Sequence, residues 1–204
     1  MITYDLYNKQ IAYYFGPKCG SRTIIGWATL IKDTNLVHNQ PKWFESSRSG
    51  SAYDETGELI PATNNAQDYP IRFCVVRDPV ERFVSAYTNR VLFHQTTKRI
   101  ITIDELIDLL ECKPAPDVDG SDIMNHLWPM THWYGKNPEL FTHIFSMKQM
   151  PDVKNLLEIT SNTTLPELRL QQSGNIKKPI LTHTQIEWVR ERYREDYEIY
   201  GEWI

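Results

Sequence analysis

What the chain lacks narrows the field first. It has only three cysteines, Cys19, Cys74 and Cys112, in 204 residues. An odd count at wide spacing gives neither a disulfide framework nor the paired spacing of a zinc site. That usage leads us to expect a reducing, cytoplasmic setting. No stretch approaches the ~18 apolar residues of a membrane span. The opening MITYDLYNKQIAYYF carries acid and amide residues where a signal peptide has a basic start and an apolar run. A soluble protein without an anchor is therefore expected. Basic charge is not in excess: 22 Lys and Arg face 26 Asp and Glu, for a net charge of -4. A general nucleic-acid coat is disfavoured, because that role needs a basic surface, but local basic pockets remain open. There is no internal repeat, no low-complexity tract and no dense Asp/Glu/His cluster for a metal.

What is there suits one full-sized core. Hydrophobic residues make up 41% and charged residues 24%, ordinary values for a soluble domain. At ~100–200 residues per domain, two domains would be cramped, so residues 1–204 are expected to form one. The segment 42–68 (KWFESSRSGSAYDETGELIPATNNAQD) is polar and aperiodic and reads as a long flexible surface loop, either functional or a disordered insertion. A second polar break, Glu111–Gly120, separates two helical stretches.

Gln10–Phe15 and Ile71–Val76 are short apolar runs ending at turn residues, and both predict buried strands; Phe141–Phe145 predicts a third. Ser21–Lys32 has a helical stripe at Ile24, Ile25, Trp27, Ala28 and Ile31. Asp78, Pro79 and Glu81 open a helix whose core face is Val80, Phe83, Val84, Tyr87 and Val91. Thr102 with Glu105 marks a helix over Ile103–Leu110, and another is expected around Asp152–Ile159. Thr182 with Gln185 starts a C-terminal helix running to Tyr200, with Ile186, Val189, Tyr193, Tyr197 and Tyr200 on one face. Strands alternating with helices predict an α/β domain with a central, mainly parallel sheet flanked by helices.

Two strand-to-helix turns carry the chemistry. In FGPKCGSRT, Gly16 and Gly20 permit a tight turn and a close backbone approach. A helix starting near Ser21 aims its free N–H groups and positive dipole end at the turn. Lys18 and Arg22 add cations; Ser21 and Thr23 add hydroxyls. The pattern is an anion cradle, yet not a Walker loop, in which the lysine follows the second glycine. In FCVVRDPVERFVSAY, Arg77 lies at the carboxyl end of a strand, where open α/β sheets place ligands. Ser85 is about two turns up the next helix, and a guanidinium with a hydroxyl can grip a phosphate. Arg82 and Arg90 are further cations there, unless Arg77 and Arg82 pair with Asp78, Glu81 or Glu105.

GPKCGSRT after one strand and VVRDPVERFVSAYTNRV after another resemble the sulfotransferases that use 3′-phosphoadenylyl sulfate (PAPS). The closest likeness is to the carbohydrate branch, the sulfotransferase family 2 domain. The resemblance runs from Tyr13 to Gly201, through NHLWPM at Asn125–Met130, QQSGNIKKP and YREDYEIYG. It is strongest at the first two motifs. NHLWPM departs from the family's H-W-x-P-Q pattern, with Met130 in place of glutamine and the tryptophan displaced.

The resemblance implies a P-loop-like fold and metal-free sulfuryl transfer from PAPS to a hydroxyl, with a carbohydrate as the expected acceptor. By the same likeness Lys18 neutralises the leaving oxygens, Cys19, Gly20, Ser21, Arg22 and Thr23 hold the 5′-phosphate, and Arg77 and Ser85 hold the 3′-phosphate. Ser173 and Lys177 are expected to add donors from the late loop Leu170–Pro179. An acceptor hydroxyl needs a base. Among six histidines, His126 is the first candidate, His38 the second and His132 the third. Trp128, Trp133 and Tyr134 are candidates for stacking on the acceptor. Cys19, among cations, is either a thiol of lowered pKa or a small filler. Two other readings stay open: a P-loop kinase or nucleotide hydrolase with Asp78 as its magnesium ligand, and a non-catalytic nucleotide-binding module.

Overall fold

The computed structural model describes residues 3–32, 66–113, 117–168, 170 and 176–204. Most of the expected loop, 42–65, lies outside these residues; its last part, Ala66–Asp68, is a short 3-10 turn.

Among the described residues the sheet has four strands in the order β1 (Thr3–Tyr7), β2 (Ile11–Tyr14), β3 (Ile71–Val76) and β4 (His143–Ser146). β2 pairs parallel with β3, and β3 with β4; β1 runs antiparallel beside β2. The expected α/β class holds, with one addition. β1 has no counterpart in the sequence reading, because Asp5 and Asn8 interrupt its apolar pattern. A tight turn makes it possible: Asn8 and Lys9 take positive φ of 41° and 59°, and the Lys9 amide donates to the Asp5 carboxylate at 3.0 Å. β1 makes β2 an interior strand, and all four β2 residues are buried. That explains its unbroken apolar run.

Helix α1 (Ser21–Lys32) follows β2 and lies against β1 and α6 (Met150–Ser161). It buries residues all around, and the Trp27 indole N–H donates to the Pro166 carbonyl at 2.9 Å. Helix α2 (Pro79–Tyr87) follows β3, with Asp78 accepting from the Glu81 amide at 3.0 Å. It continues to Phe93 as a π turn, Thr88–Phe93, in which the His94 amide reaches back five residues to the Asn89 carbonyl.

A second apolar cluster joins Phe83, Tyr87 and Val91 to α3 (Ile103–Leu110), to α4 (Ser121–His126), and to Val189 and Tyr193 near the C-terminus. The expected C-terminal helix is two helices, α7 (His183–Arg192) and α8 (Arg194–Tyr200), which break at Tyr193. Anchors on the segment before and within α5 (Met130–Tyr134) flank the break. The Tyr193 hydroxyl donates to the Leu127 carbonyl at 2.7 Å, and Asp196 accepts from the Met130 and Thr131 amides at 2.8 and 2.9 Å. Of the expected apolar stripe, Val189, Tyr193 and Tyr200 are buried, whereas Ile186 and Tyr197 are half-buried.

Candidate active site

The chain segments that follow β2, β3 and β4 line one cavity of about 680 Å³. This is the carboxyl edge of the sheet, where α/β folds bind ligands.

The turn after β2 is shaped by two glycines. A Cβ on Gly16 would lie 1.9 Å from the Tyr134 hydroxyl, which itself donates to the Val75 carbonyl at 2.7 Å. Tyr134 thus pins the β2 turn to β3, and no larger residue fits at position 16. Gly20 has a φ of 74° and packs under the sulfurs of Met147 and Met150. Between them Lys18 takes a φ of 66°. That left-handed conformation is strained for a residue with a side chain. The amides of Thr23 and Ile24 close onto the Gly20 carbonyl and begin α1, so the helix N-terminus faces the turn.

Lys18 is not the mobile surface cation that its motif suggests. It lies among Arg90, Arg77 and Arg22, and among the described residues no acid pairs with it. Burial, followed by the repulsion of these guanidinium groups, lowers its pKa to about 7. Such a group gains most from an incoming anion.

The β3 turn meets the β2 turn directly. Arg77 donates from Nη1 to the Lys18 carbonyl at 3.2 Å. Its Nε is 3.5 Å from the Glu81 carboxylate, an ion-pair distance, but makes no hydrogen bond among the described residues. Ser85 lines the same cavity, with Asn89 one turn on. The wider π winding also brings Arg90 to this face. The Asp122 carboxylate grips Arg90 through two hydrogen bonds.

His126 lines the far side, and its Nδ1 contacts the Asp122 main-chain carbonyl at 2.8 Å. A carbonyl only accepts, so Nδ1 is the donor and Nε2 keeps its lone pair. Burial comes first in holding the His126 pKa below its ordinary value; Arg90 and Lys18 add to the effect. This favours the neutral imidazole. Arg82 sets its place. That guanidinium is 1% exposed, donates to the carbonyls of His126 and Trp128, and lies over the Tyr193 ring. Arg82 is thus part of the framework and not a site cation.

Lys18, Gly20, Ser21, Arg22, Thr23, Arg77, Ser85 and His126 therefore share one cavity. Cys19 does not join them through its side chain. The thiol is fully buried beside Tyr134, and burial pushes its pKa up, contrary to the lowered value considered above. Lys177 is exposed and off the cavity. His38 and Ser173 lie outside the described residues. Tyr134 is a core residue and cannot stack on an acceptor. His132 is exposed and stacks on Trp128, with ring centroids 4.9 Å apart. Sequence reasoning passed over Asn89 and Asp122. Their signals were simple: Asn89 is four residues after Ser85, and Asp122 four before His126, so each shares a helical face with its partner.

Residues 6–201 match the model of the Sulfotransferase family. The chain belongs to this family. No curated protein and no solved structure matches it. The sulfotransferase match spans the turns after β2 and β3, α4 and the C-terminal helices, so the whole cavity lies inside it. Its reaction class is sulfuryl transfer. Among the described residues of this sulfotransferase, no helix is long and apolar enough to cross a membrane.

Proposed function

We propose that the protein transfers a sulfuryl group from PAPS to a hydroxyl of a carbohydrate by in-line displacement. The observation that carries the proposal is the contact between the two turns: Arg77 touches the Lys18 carbonyl, and cations from both turns line one cavity. PAPS supplies a sulfuryl group on a phosphate leaving group, with a second phosphate at its 3′ position. The residues fit such a polyanion. Lys18 is half-buried among like charges, Arg77 Nε makes no hydrogen bond among the described residues, and Gly20 lines the cavity at the start of α1.

In this reading Lys18 stabilises charge on the leaving oxygen. Gly20 to Thr23 hold the 5′-phosphate at the start of α1. Arg77 and Ser85 hold the 3′-phosphate. His126 Nε2 takes the acceptor proton, for which its neutral state and fixed tautomer suit it. Transfer then rests on positioning and charge stabilisation, as in phosphoryl transfer. A sugar acceptor is supported by Trp128, which is 45% exposed, stacked on His132 and two residues from His126. An exposed indole face suits the apolar face of a sugar ring.

The kinase reading is the weaker one. Both Asp78 oxygens are engaged: one caps α2, and the other accepts from the Tyr197 hydroxyl at 3.1 Å. The test compares adenosine 3′,5′-bisphosphate with ATP by calorimetry, then measures transfer from radiolabelled PAPS to a panel of oligosaccharides. Preference for the bisphosphate with label transfer is expected. Equal affinity for ATP overturns the donor assignment. Tight bisphosphate binding with no transfer to any hydroxyl acceptor favours the non-catalytic module.

A further inference from the structure

Arg90 and Asp122 form an ion pair in the cavity wall to which the donor-binding roles assign no task. They come from different elements, the π turn after α2 and the first turn of α4. Arg90 Nε meets Asp122 Oδ2 at 2.5 Å, and Nη2 meets Oδ1 at 2.6 Å. The side chains keep 17% and 34% of their exposure, so water competes weakly. A bidentate pair of this kind fixes orientation as well as distance. It ties α4, and therefore His126, to the end of α2.

Asp122 also reaches His126, but not through its carboxylate. Its main-chain carbonyl takes the Nδ1 proton at 2.8 Å, while its Oδ1 stays 3.9 Å from Nδ1. A carboxylate at hydrogen-bond distance would stabilise the imidazolium and hold a proton on the ring. Here the carboxylate is turned to Arg90 instead. The charged groups facing His126 are Asp122 from its own helix, Arg90 from the π turn and Lys18 from the β2 turn.

We propose that Arg90 and Asp122 are positioning residues for His126: together they fix the helix whose carbonyl selects the tautomer, and Arg90 keeps the Asp122 carboxylate off the ring so that the imidazole remains a neutral base. This inference rests on the assignment of His126 as the base, and its test is separable from that assignment.

The test is an NMR titration of the histidine rings in the ligand-free protein, with the His126 signal identified by its loss in His126→Ala. Asp122→Asn keeps the side-chain shape and the main-chain carbonyl but removes the negative charge, so His126 should titrate lower. Arg90→Gln frees the carboxylate for the ring, so His126 should titrate higher. Shifts of about one pH unit in opposite directions are expected. Two shifts of the same sign, or none, overturn the inference. Should Arg90→Gln fail to fold, Asp122→Asn decides alone: a downward shift supports the pair, and an unmoved titration overturns it. Label transfer separates the two layers. If His126→Ala transfers sulfate from radiolabelled PAPS as the parent does, the base assignment fails whatever the titrations show.

Discussion

The turns after β2 and β3 take most of their shape from the main chain, with Tyr134 and Arg77 as braces, whereas α4 and the neighbouring α5 are held mainly by side chains from distant parts of the chain. In the first region the ends of parallel strands, two glycines and a helix N-terminus define the geometry, and the sheet register fixes their spacing. In the second, Arg82, Asp196, Tyr193 and the Arg90–Asp122 pair each contribute one bond or two to a segment with short helices. On the proposed roles, the anion-binding side is built into the scaffold, while the side that carries His126 depends on long-range contacts and is the easier side to disturb.

The largest effect should come from removing the centre of the second region. Arg82→Leu leaves the carbonyls of His126 and Trp128 without their donor, and leaves the fully buried Asp196 without its nearby cation. A loss of about 3–5 kcal/mol is expected in denaturant unfolding, the range for breaking a buried charged contact. Unchanged stability would erase the contrast between the two walls. Next is Lys18→Ala, which should lower kcat about 10²–10³-fold, the usual cost of one charge-stabilising donor, and leave unfolding nearly unaffected. A large stability loss would mean that the first region also depends on the Lys18 side chain.

A pH experiment sharpens the same point. The ligand-free Lys18 titrates at about 7, and a bound polyanion must raise that value. Binding then takes up a proton near neutrality. Affinity for adenosine 3′,5′-bisphosphate is full below pH 7 and falls as pH rises above it, by up to about tenfold per unit until the pKa of the complex is reached. Calorimetry at two pH values checks this, and a flat profile contradicts it. The smallest effect is expected at the rim. Trp128→Ala should raise KM for a sugar acceptor by about 0.5–1.5 kcal/mol, a few-fold to tenfold, without changing bisphosphate affinity.

The same division explains what could be read from the sequence. β2, β3, α1 and the start of α2 were legible because each is a local pattern: apolar runs, a helical stripe, Asp78 before Pro79. Lys18, Arg77 and Ser85 were legible as a pair of motifs. That Lys18 is half-buried among cations was not, because Arg90 and Arg22 approach it only in the folded chain. β1 escaped notice because an edge strand tolerates Asp5 and a polar turn. The role of Arg82 was hidden, since an arginine on a helix reads as a surface cation until its partners, 44 and 46 residues on, are known. The break at Tyr193 was invisible for a related reason: the apolar spacing continues smoothly across it, and only the anchors on Leu127, Met130 and Thr131 require it.

The bond from Arg77 to the Lys18 carbonyl makes the turns after β2 and β3 one mechanical part. Arg77 supports the left-handed main chain of the very residue expected to act on the leaving oxygen. On the proposed roles, a substitution of Arg77 meant to weaken nucleotide retention will also shift the lysine, so turnover and retention should decline together. For anyone building chimaeras within this family, the two stretches should be exchanged as a matched set, because a donor turn from one relative would arrive without the arginine shaped to brace it.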